Sequence, residues 1–384
     1  MRASMFSAAV VAALVGFGST IALVLAAAAA VGATPAQTTS WVLAVCLSKA
    51  VGSAFLSWQS RVPVVLAWST PGAALVAASQ GVSMAEAVGA FLLAGCLIAL
   101  TGASRPLGRL VAMIPDGIAA GMLAGVLLPF CLRLAGIAQS APVLVLPIIA
   151  VFVLARLANP ALAVLAALAT GVTLAFAGDA ALTTLPFTLP ALTFIAPDFR
   201  PAVLLGLGVP LYLVTMAAQN LPGFATLRAA GYQPPVRAAL TVTGGLSALS
   251  ALFGAHTVSM AAITAAICLG NDVHPDRSQR WKVGLVYGGA WLALGVFSPL
   301  ILAIVAALPA ALITAIVGLA LLGPLTGALT GAFAIPPQRF AAAVTLTVTA
   351  SGVAALGIGG AFWGLIAGLL VHALDQAAAR IKAR

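Results

Sequence analysis

The sequence predicts an all-α polytopic membrane protein with about fourteen transmembrane segments in two inverted seven-segment repeats, two of them short half-helices preceded by extended segments. Three observations predict this class. First, 63% of the 384 residues are hydrophobic and only 6% are charged, where a soluble domain carries roughly 25%. With a mean hydropathy of +1.18, too few polar groups exist to cover a water-facing surface, so lipid must cover it. Second, apolar runs close to the ~20 residues that cross hydrocarbon follow one another along the chain. Third, stretches about half a chain apart match each other. The alternating pattern of a membrane barrel is absent, and abundant Ala, Leu, Val and Gly suit helices packed through small residues.

In order, the predicted helices are 5–31, 40–58, 69–80, 84–102, 108–130, 142–157, 160–178, 202–222, 237–252, 257–270, 282–298, 300–323, 340–356 and 360–378. The first imitates a signal peptide, with Arg2 ahead of an apolar stretch. That stretch runs about 27 residues, longer than the roughly 7–15 of a signal core, so it reads as a retained helix. Segments 69–80 and 257–270 look too short to cross. With the N-terminus cytoplasmic and the segments alternating, fourteen cations fall on the cytoplasmic side, Arg105, Arg109 and Arg384 among them. Only Arg133 and Arg200 fall outside, and Lys49 lies mid-span. This positive-inside bias places both termini in the cytoplasm. It also counts the two short segments, because omitting either would flip everything after it. The net charge of +10 is scattered singly, without the patch or stripe of a nucleic-acid binder. Cys46, Cys96, Cys131 and Cys268 form no CxxC pair and read as apolar core rather than metal ligands or disulfides.

The repeat carries the topology further. Leu110 onward reads LVAMIPDGIAAGMLAG and Ile304 onward reads IVAALPAALITAIVGL, aligning Pro115 with Pro309. AWSTPGAA (Ala67–Ala74) pairs with AHTVSMAA (Ala255–Ala262). Residues 1–180 form the first repeat and 200–384 the second. Seven segments per half is an odd number, so the second half is inverted. Inverted repeats with a pair of interrupted helices are the signature of a secondary transporter.

Three stretches hold the chemistry. Val62–Trp68, with Pro63 and β-branched residues, reads as extended backbone; Ser69 and Thr70 then cap a helix that continues through Pro71 and Gly72. A helix that begins inside the membrane offers free N–H groups and a positive dipole end, which suits an anion. Phe253-Gly254-Ala255-His256 leads in the same way to Thr257 as cap and to Ser259. The plainer alternative for both is a Ser/Thr-Pro turn in a loop. Gln219 and Asn220, just before Pro222-Gly223, supply amide donors and acceptors, or else helix-to-helix bonds. The acids Glu86, Asp116, Asp179, Asp198, Asp272, Asp276 and Asp375 all lie outside these stretches. That argues against a cation substrate, which would want a buried carboxylate. Asp116 reads as a helix N-terminal charge. His256, the one titratable group at the candidate site, is either a proton carrier or a neutral hydrogen-bonded ring. Lys49 is either functional or a snorkelling side chain.

Thr215–Tyr232 (TMAAQNLPGFATLRAAGY), Gly254–Gly270 (GAHTVSMAAITAAICLG) and Val62–Leu75 (VPVVLAWSTPGAAL) resemble the signature segments of the bacterial benzoate:proton symporters, the BenE family. The resemblance covers nearly the whole chain. It implies proton-coupled benzoate uptake across the bacterial inner membrane, and kinship in fold with the nucleobase and sulfate transporters. It implies a core domain, about 1–104 and 200–298, moving against a gate domain, about 105–180 and 299–384. Nucleobase transporters of that fold carry buried glutamates in the eighth and tenth segments; here stand Gln219, Asn220 and Ser259, which fits an anion better. Lys49 matches no motif of the family.

The expected mechanism has the carboxylate held by backbone N–H groups and hydroxyls at Ser69, Thr70, Gly72, Thr257 and Ser259. The ring lies against Trp68, Met216 and Phe253, and Gln219 and Asn220 complete the polar contacts. The accompanying proton rides on His256 or on the substrate. The partners are then a small aromatic anion, protons and lipid; kinship leaves a homodimer open. No metal, cofactor or nucleic acid is expected. Another anion such as sulfate is the rival within transport. An anion channel and a membrane enzyme are the rivals of other classes, and the enzyme would need a clustered nucleophile, acid and base.

Overall fold

The computed structural model describes residues 2–104, 114–160, 162–177, 188–261, 263–271 and 273–382. Arg105, Arg109, Asp179, Asp272 and Arg384, and the start of the predicted helix 108–130, lie outside them. Apart from loops and one isolated bridge between Ala355 and Ile358, the described residues form helices and two three-residue strands. In chain order the elements are α1 (Ala3–Gly18), α2 (Ile21–Ala30), α3 (Pro35–Ser60), β1 (Leu66–Trp68), α4 (Thr70–Ala77), α5 (Met84–Ala103), α6 (Asp116–Ser140), α7 (Pro142–Ala158) and α8 (Ala163–Ala177). The second half follows with α9 (Pro201–Ala229), α10 (Val236–Ala251), β2 (Val258–Met260), α11 (Ile263–Leu269), α12 (Lys282–Val296), α13 (Ser298–Ala306), α14 (Ala310–Ala334), α15 (Arg339–Ala350) and α16 (Gly360–Lys382).

Seven of the described helical stretches are long and apolar enough to cross a membrane, and the bent pair Arg277–Val296 with Ser298–Val305, at 60°, makes an eighth. This is fewer than the fourteen predicted. The shortfall has a physical reason, since many apolar runs are broken or short: α7 has 17 residues, α8 has 15 and α15 has 12. Two predicted helices need correction. The run 300–323 divides into α13 and α14, because Pro309 cannot continue a helix and instead caps α14 with an extended backbone (ψ 140°). The run 257–270 divides into strand β2 and the seven-residue α11. Thr257 and Ser259 therefore lie on extended backbone and cap no helix.

The internal repeat is visible in detail. Pro115 caps α6 and Pro309 caps α14; both helices have 25 residues, and each holds one internal proline, Pro129 and Pro324. The two pack against each other. Each repeat also carries an extended segment followed by a short helix, β1–α4 and β2–α11.

Glycine lets helices α5 and α10 approach backbone to backbone. A Cβ at Gly95 would stand 2.5 Å from the Ala248 nitrogen, and one at Gly244 would collide with the Ala99 backbone. Gly244→Val is therefore expected to destabilise the protein by about 1–3 kcal/mol through overpacking. Gly245→Ala, whose Cβ meets nothing within 4 Å, should be neutral or slightly stabilising. Thermal unfolding in detergent checks the pair, and equal losses in both would refute the close-approach account.

Candidate functional site

Helix α9 is a long span twice interrupted. Leu204–Gly208 and Met216–Asn220 are π-helical, and each ends two residues before a proline, Pro210 and Pro222. Proline lacks the N–H that would bond four residues back, and its ring crowds that carbonyl. Widening the preceding turn relieves both problems. The second bulge sits where Met216, Gln219 and Asn220 were expected to matter, and it turns Asn220 fully inward.

At the centre, β1 and β2 pair antiparallel, with Leu66 opposite Met260, Ala67 opposite Ser259 and Trp68 opposite Val258. The ladder extends at both ends through Ser69 N–H to the Thr257 carbonyl at 3.0 Å and Ala261 N–H to the Val65 carbonyl at 3.1 Å. A two-stranded ribbon leaves outer backbone groups exposed, and in an apolar interior each must find a partner. Side chains of neighbouring helices supply them. Ser53 Oγ accepts from Leu66 N–H at 3.0 Å, Ser57 Oγ accepts from Val64 N–H at 3.0 Å, and Tyr287 donates its hydroxyl to the Leu66 carbonyl at 2.9 Å. On the other strand, Ser247 Oγ accepts from Val258 N–H at 2.8 Å and Asn220 Oδ1 from Met260 N–H at 2.9 Å.

Three buried hydroxyls converge where the strands meet α4. Thr215 donates to Ser69 Oγ at 3.0 Å and lies 2.8 Å from Thr257 Oγ1. Ser69 also accepts from Gly72 N–H at 3.1 Å, the N-cap bond of α4. Thr70 reaches the other way, 3.1 Å from Thr20 Oγ1. Ser259 donates to the Ala67 carbonyl at 3.4 Å, and the Asn220 amide lies 3.4 Å from the Met216 sulfur. Contacts thus link Ser69, Gly72, Thr257, Ser259, Met216 and Asn220 to the strand pair, with Thr70 at its edge. Trp68 belongs to β1 itself, its indole donating to the Gly16 carbonyl at 3.2 Å. Gln219 is half-buried and has no side-chain hydrogen bond among the described residues. Phe253 sits in the turn before the strand, its carbonyl tied to Ser40 at 2.9 Å. His256 is buried and accepts at Nδ1 from Trp41 Nε1–H at 2.9 Å.

Sequence reasoning passed over Thr215, Trp41 and the strand-holding hydroxyls. Ser53 and Ser57, spaced four apart with Lys49, form a polar stripe on α3, while Val51, Phe55 and Trp58 face outward. That stripe was the available signal. The ion pair Arg200–Glu86, at 3.1 Å, lies apart from the strand pair at the start of α5. Between α6, α9 and α16 runs a crevice of about 50 Å³ lined by Ile114, Asp116, Ala119, Met122, Leu213, Ala217, Leu221 and Leu365.

A family model described as "Benzoate membrane transport protein", BenE, matches residues 1–374. The chain belongs to this family. It is a membrane transport protein, not an enzyme. It is 42% identical over 357 residues to "Inner membrane protein YdcO" of Escherichia coli (strain K12), covering 92% of this chain and 91% of that one. It is 34% identical over 335 residues to the "Benzoate membrane transport protein" of Acinetobacter baylyi, covering 87% and 85%. Among solved structures, the transmembrane domain of a cyanobacterial bicarbonate transporter, BicA, superposes with a TM-score of 0.59 at 16% identity, covering 96% of this chain and 98% of that one. SLC26A9 superposes at 0.60 and 15% identity, covering 96% and 65%. These likenesses show the fold of this BenE-family chain.

Asn220→Leu removes the acceptor for Met260 N–H and leaves a buried donor unmet, which costs about 1–3 kcal/mol. Gln219→Leu breaks no bond. The asparagine variant alone should unfold at a clearly lower temperature in detergent; equal midpoints would contradict the strand-anchoring role.

Proposed function

We propose that this chain is a proton-coupled secondary transporter that takes up benzoate or a similar aromatic carboxylate by alternating access. The observation that carries the reading is the buried meeting of the Ser69, Thr215 and Thr257 hydroxyls at the crossing of two extended segments, beside Trp68. Hydroxyls can donate to a carboxylate, and no described carboxylate makes contact there to repel one. Ser259 and Gly72 line the same crossing, with Thr70 at its edge turned toward Thr20, while Trp68 and Met216 offer apolar wall. Gln219, with its amide unengaged, is free to turn to a substrate, and Phe253 completes the wall from the preceding turn. The name of the Acinetobacter relative and the description of the family agree with this substrate.

In this reading the chain has fourteen segments in two inverted sets of seven, both termini cytoplasmic, in the bacterial inner membrane. Residues 1–104 and 200–298 form the core, and 105–180 with 299–384 form the gate. The crevice at Asp116 and Leu213 lies on the boundary between them. An apolar cavity that holds benzene is on the order of 150 Å³, three times this crevice, so core and gate must separate to admit an aromatic ring. Trp41 restricts His256. An indole N–H only donates, so Nδ1 accepts and the ring's single proton sits on Nε2. A second proton would have to displace the Trp41 bond, which favours His256 as a positioning group over a carrier.

In proteoliposomes with an acid exterior, initial uptake of labelled benzoate above that of protein-free vesicles should rise with the pH gradient. Excess unlabelled aromatic carboxylates should compete, and sulfate should not. Uptake indifferent to benzoate but competed by sulfate would transfer the reading to another anion. His256→Gln, whose side-chain oxygen can still accept from Trp41, is expected to keep pH-driven uptake within about threefold; its abolition in a folded variant would restore histidine as the carrier.

A further inference from the structure

Lys49 has no place in the reading so far, yet its position is unusual. It lies about 21 Å from the start of α3 at 1.5 Å per residue, mid-helix, with no exposed surface. A snorkelling lysine would extend along the outer face toward the interface. This one sits on the inward stripe with Ser53 and Ser57, whose hydroxyls bond β1. Its Nζ has no hydrogen-bond partner. Instead it stands 2.9 Å from the ring centroid of Trp291 and 4.3 Å from that of Trp68. Phe17 closes the cage, with its ring 5.5 Å from Trp68 and 5.9 Å from Trp291.

Among the described residues the surroundings hold no counter-ion. On its own helix Cys46 is one turn away. From α12 comes Tyr287, whose hydroxyl is engaged with Leu66, and from α11 comes the buried Cys268. α1 brings only Phe17 and the Gly16 backbone. His256 is within electrostatic reach, with Nδ1 engaged by Trp41. Among the described residues no acid approaches Lys49, and the one ion pair is Arg200–Glu86. Burying an ammonium is costly, and desolvated indole faces offset only part of that cost. The charge is therefore poorly balanced until an anion arrives. The place for that anion is next door, because Trp68 directly precedes Ser69.

We propose that Lys49 is the proton carrier of this transporter: its amine takes up one proton as a carboxylate binds beside Trp68 and Ser69, and gives up both on the other side. The step balances. A neutral amine and a proton become an ammonium, which pairs with one carboxylate, and the loaded site gains no net charge. Anion binding and protonation then favour each other by linkage, and the loaded core can cross without carrying charge. With the site empty, the two indoles shelter the amine. This proposal rests on the anion-transport reading above and assigns its coupling group.

Lys49→Gln tests it in proteoliposomes. The variant is expected to lose the pH-gradient-driven accumulation of benzoate, which one coupled proton can raise by at most about tenfold per imposed pH unit. Stimulation is read as the ratio of uptake with and without the gradient, because the variant also loses the ammonium that pairs with the carboxylate and its basal uptake should fall. Lys49→Met repeats the assay if glutamine disturbs the cage. In detergent, benzoate binding to the unaltered protein should draw about one proton from a dye-reported, weakly buffered solution. Lys49→Arg, charged at all working pH values, should bind without drawing one. Gradient stimulation that survives in the glutamine variant, or benzoate binding without proton uptake by the unaltered protein, would each overturn the proposal. If the unaltered protein itself shows no gradient stimulation, the transport reading fails instead.

Discussion

The structure turns on one constraint: a pair of extended segments crosses inside an apolar interior, where every backbone N–H and C=O must be satisfied without water. In this register Ala67 and Ser259 face each other as the bonded pair. The outward groups of Leu66 and Val258 and the Met260 N–H fall to side chains on surrounding helices. This is why so apolar a chain spends serines at Ser53, Ser57 and Ser247, a tyrosine at Tyr287 and an asparagine at Asn220 on positions that face inward. The polar interior is first a support for the strands and, in the proposed function, a place for a substrate.

The same constraint shapes the helices. Asn220 can reach the Met260 backbone because Pro222 forces a π-bulge into α9 one turn earlier. Gly223 lets that helix lie against Met260, where a Cβ would stand 2.5 Å away. Hydroxyls and amides offer donors without fixed charge, so the crossing is suited to an anion while adding no permanent charge to the buried interior. Lys49 is the exception. In the proposed cycle its charge is gained and lost together with the anion, and the indole faces of Trp68 and Trp291 offset part of the cost of the cationic form.

The class of protein, the placement of most helices and the pairing of the two repeats were legible in the sequence. Hydropathy reports burial in lipid directly, and Pro115 and Pro309 mark helix starts whatever packs around them. The break at Pro309 was legible in the same alignment, yet the apolar run around it reads as continuous because hydropathy does not register a missing N–H. The residues Ser69, Thr257, Ser259 and Asn220 stood out as polar groups in apolar stretches. Thr215 did not, since one threonine within VTMAA looks like ordinary helix.

By itself, then, the sequence determined that this chain lives in lipid, that its halves repeat, and that its candidate site is built from uncharged donors. Those are properties of composition and local backbone chemistry, which need no partner to express themselves. The tertiary structure decided which strand faces which, that Thr257 and Ser259 lie in a ribbon rather than at a helix start, that Trp41 holds His256 as an acceptor, and that Lys49 points inward between two indoles. Each depends on contacts between residues far apart in the chain, up to some 240 positions for Lys49 and Trp291, and no local pattern encodes a distance of that kind.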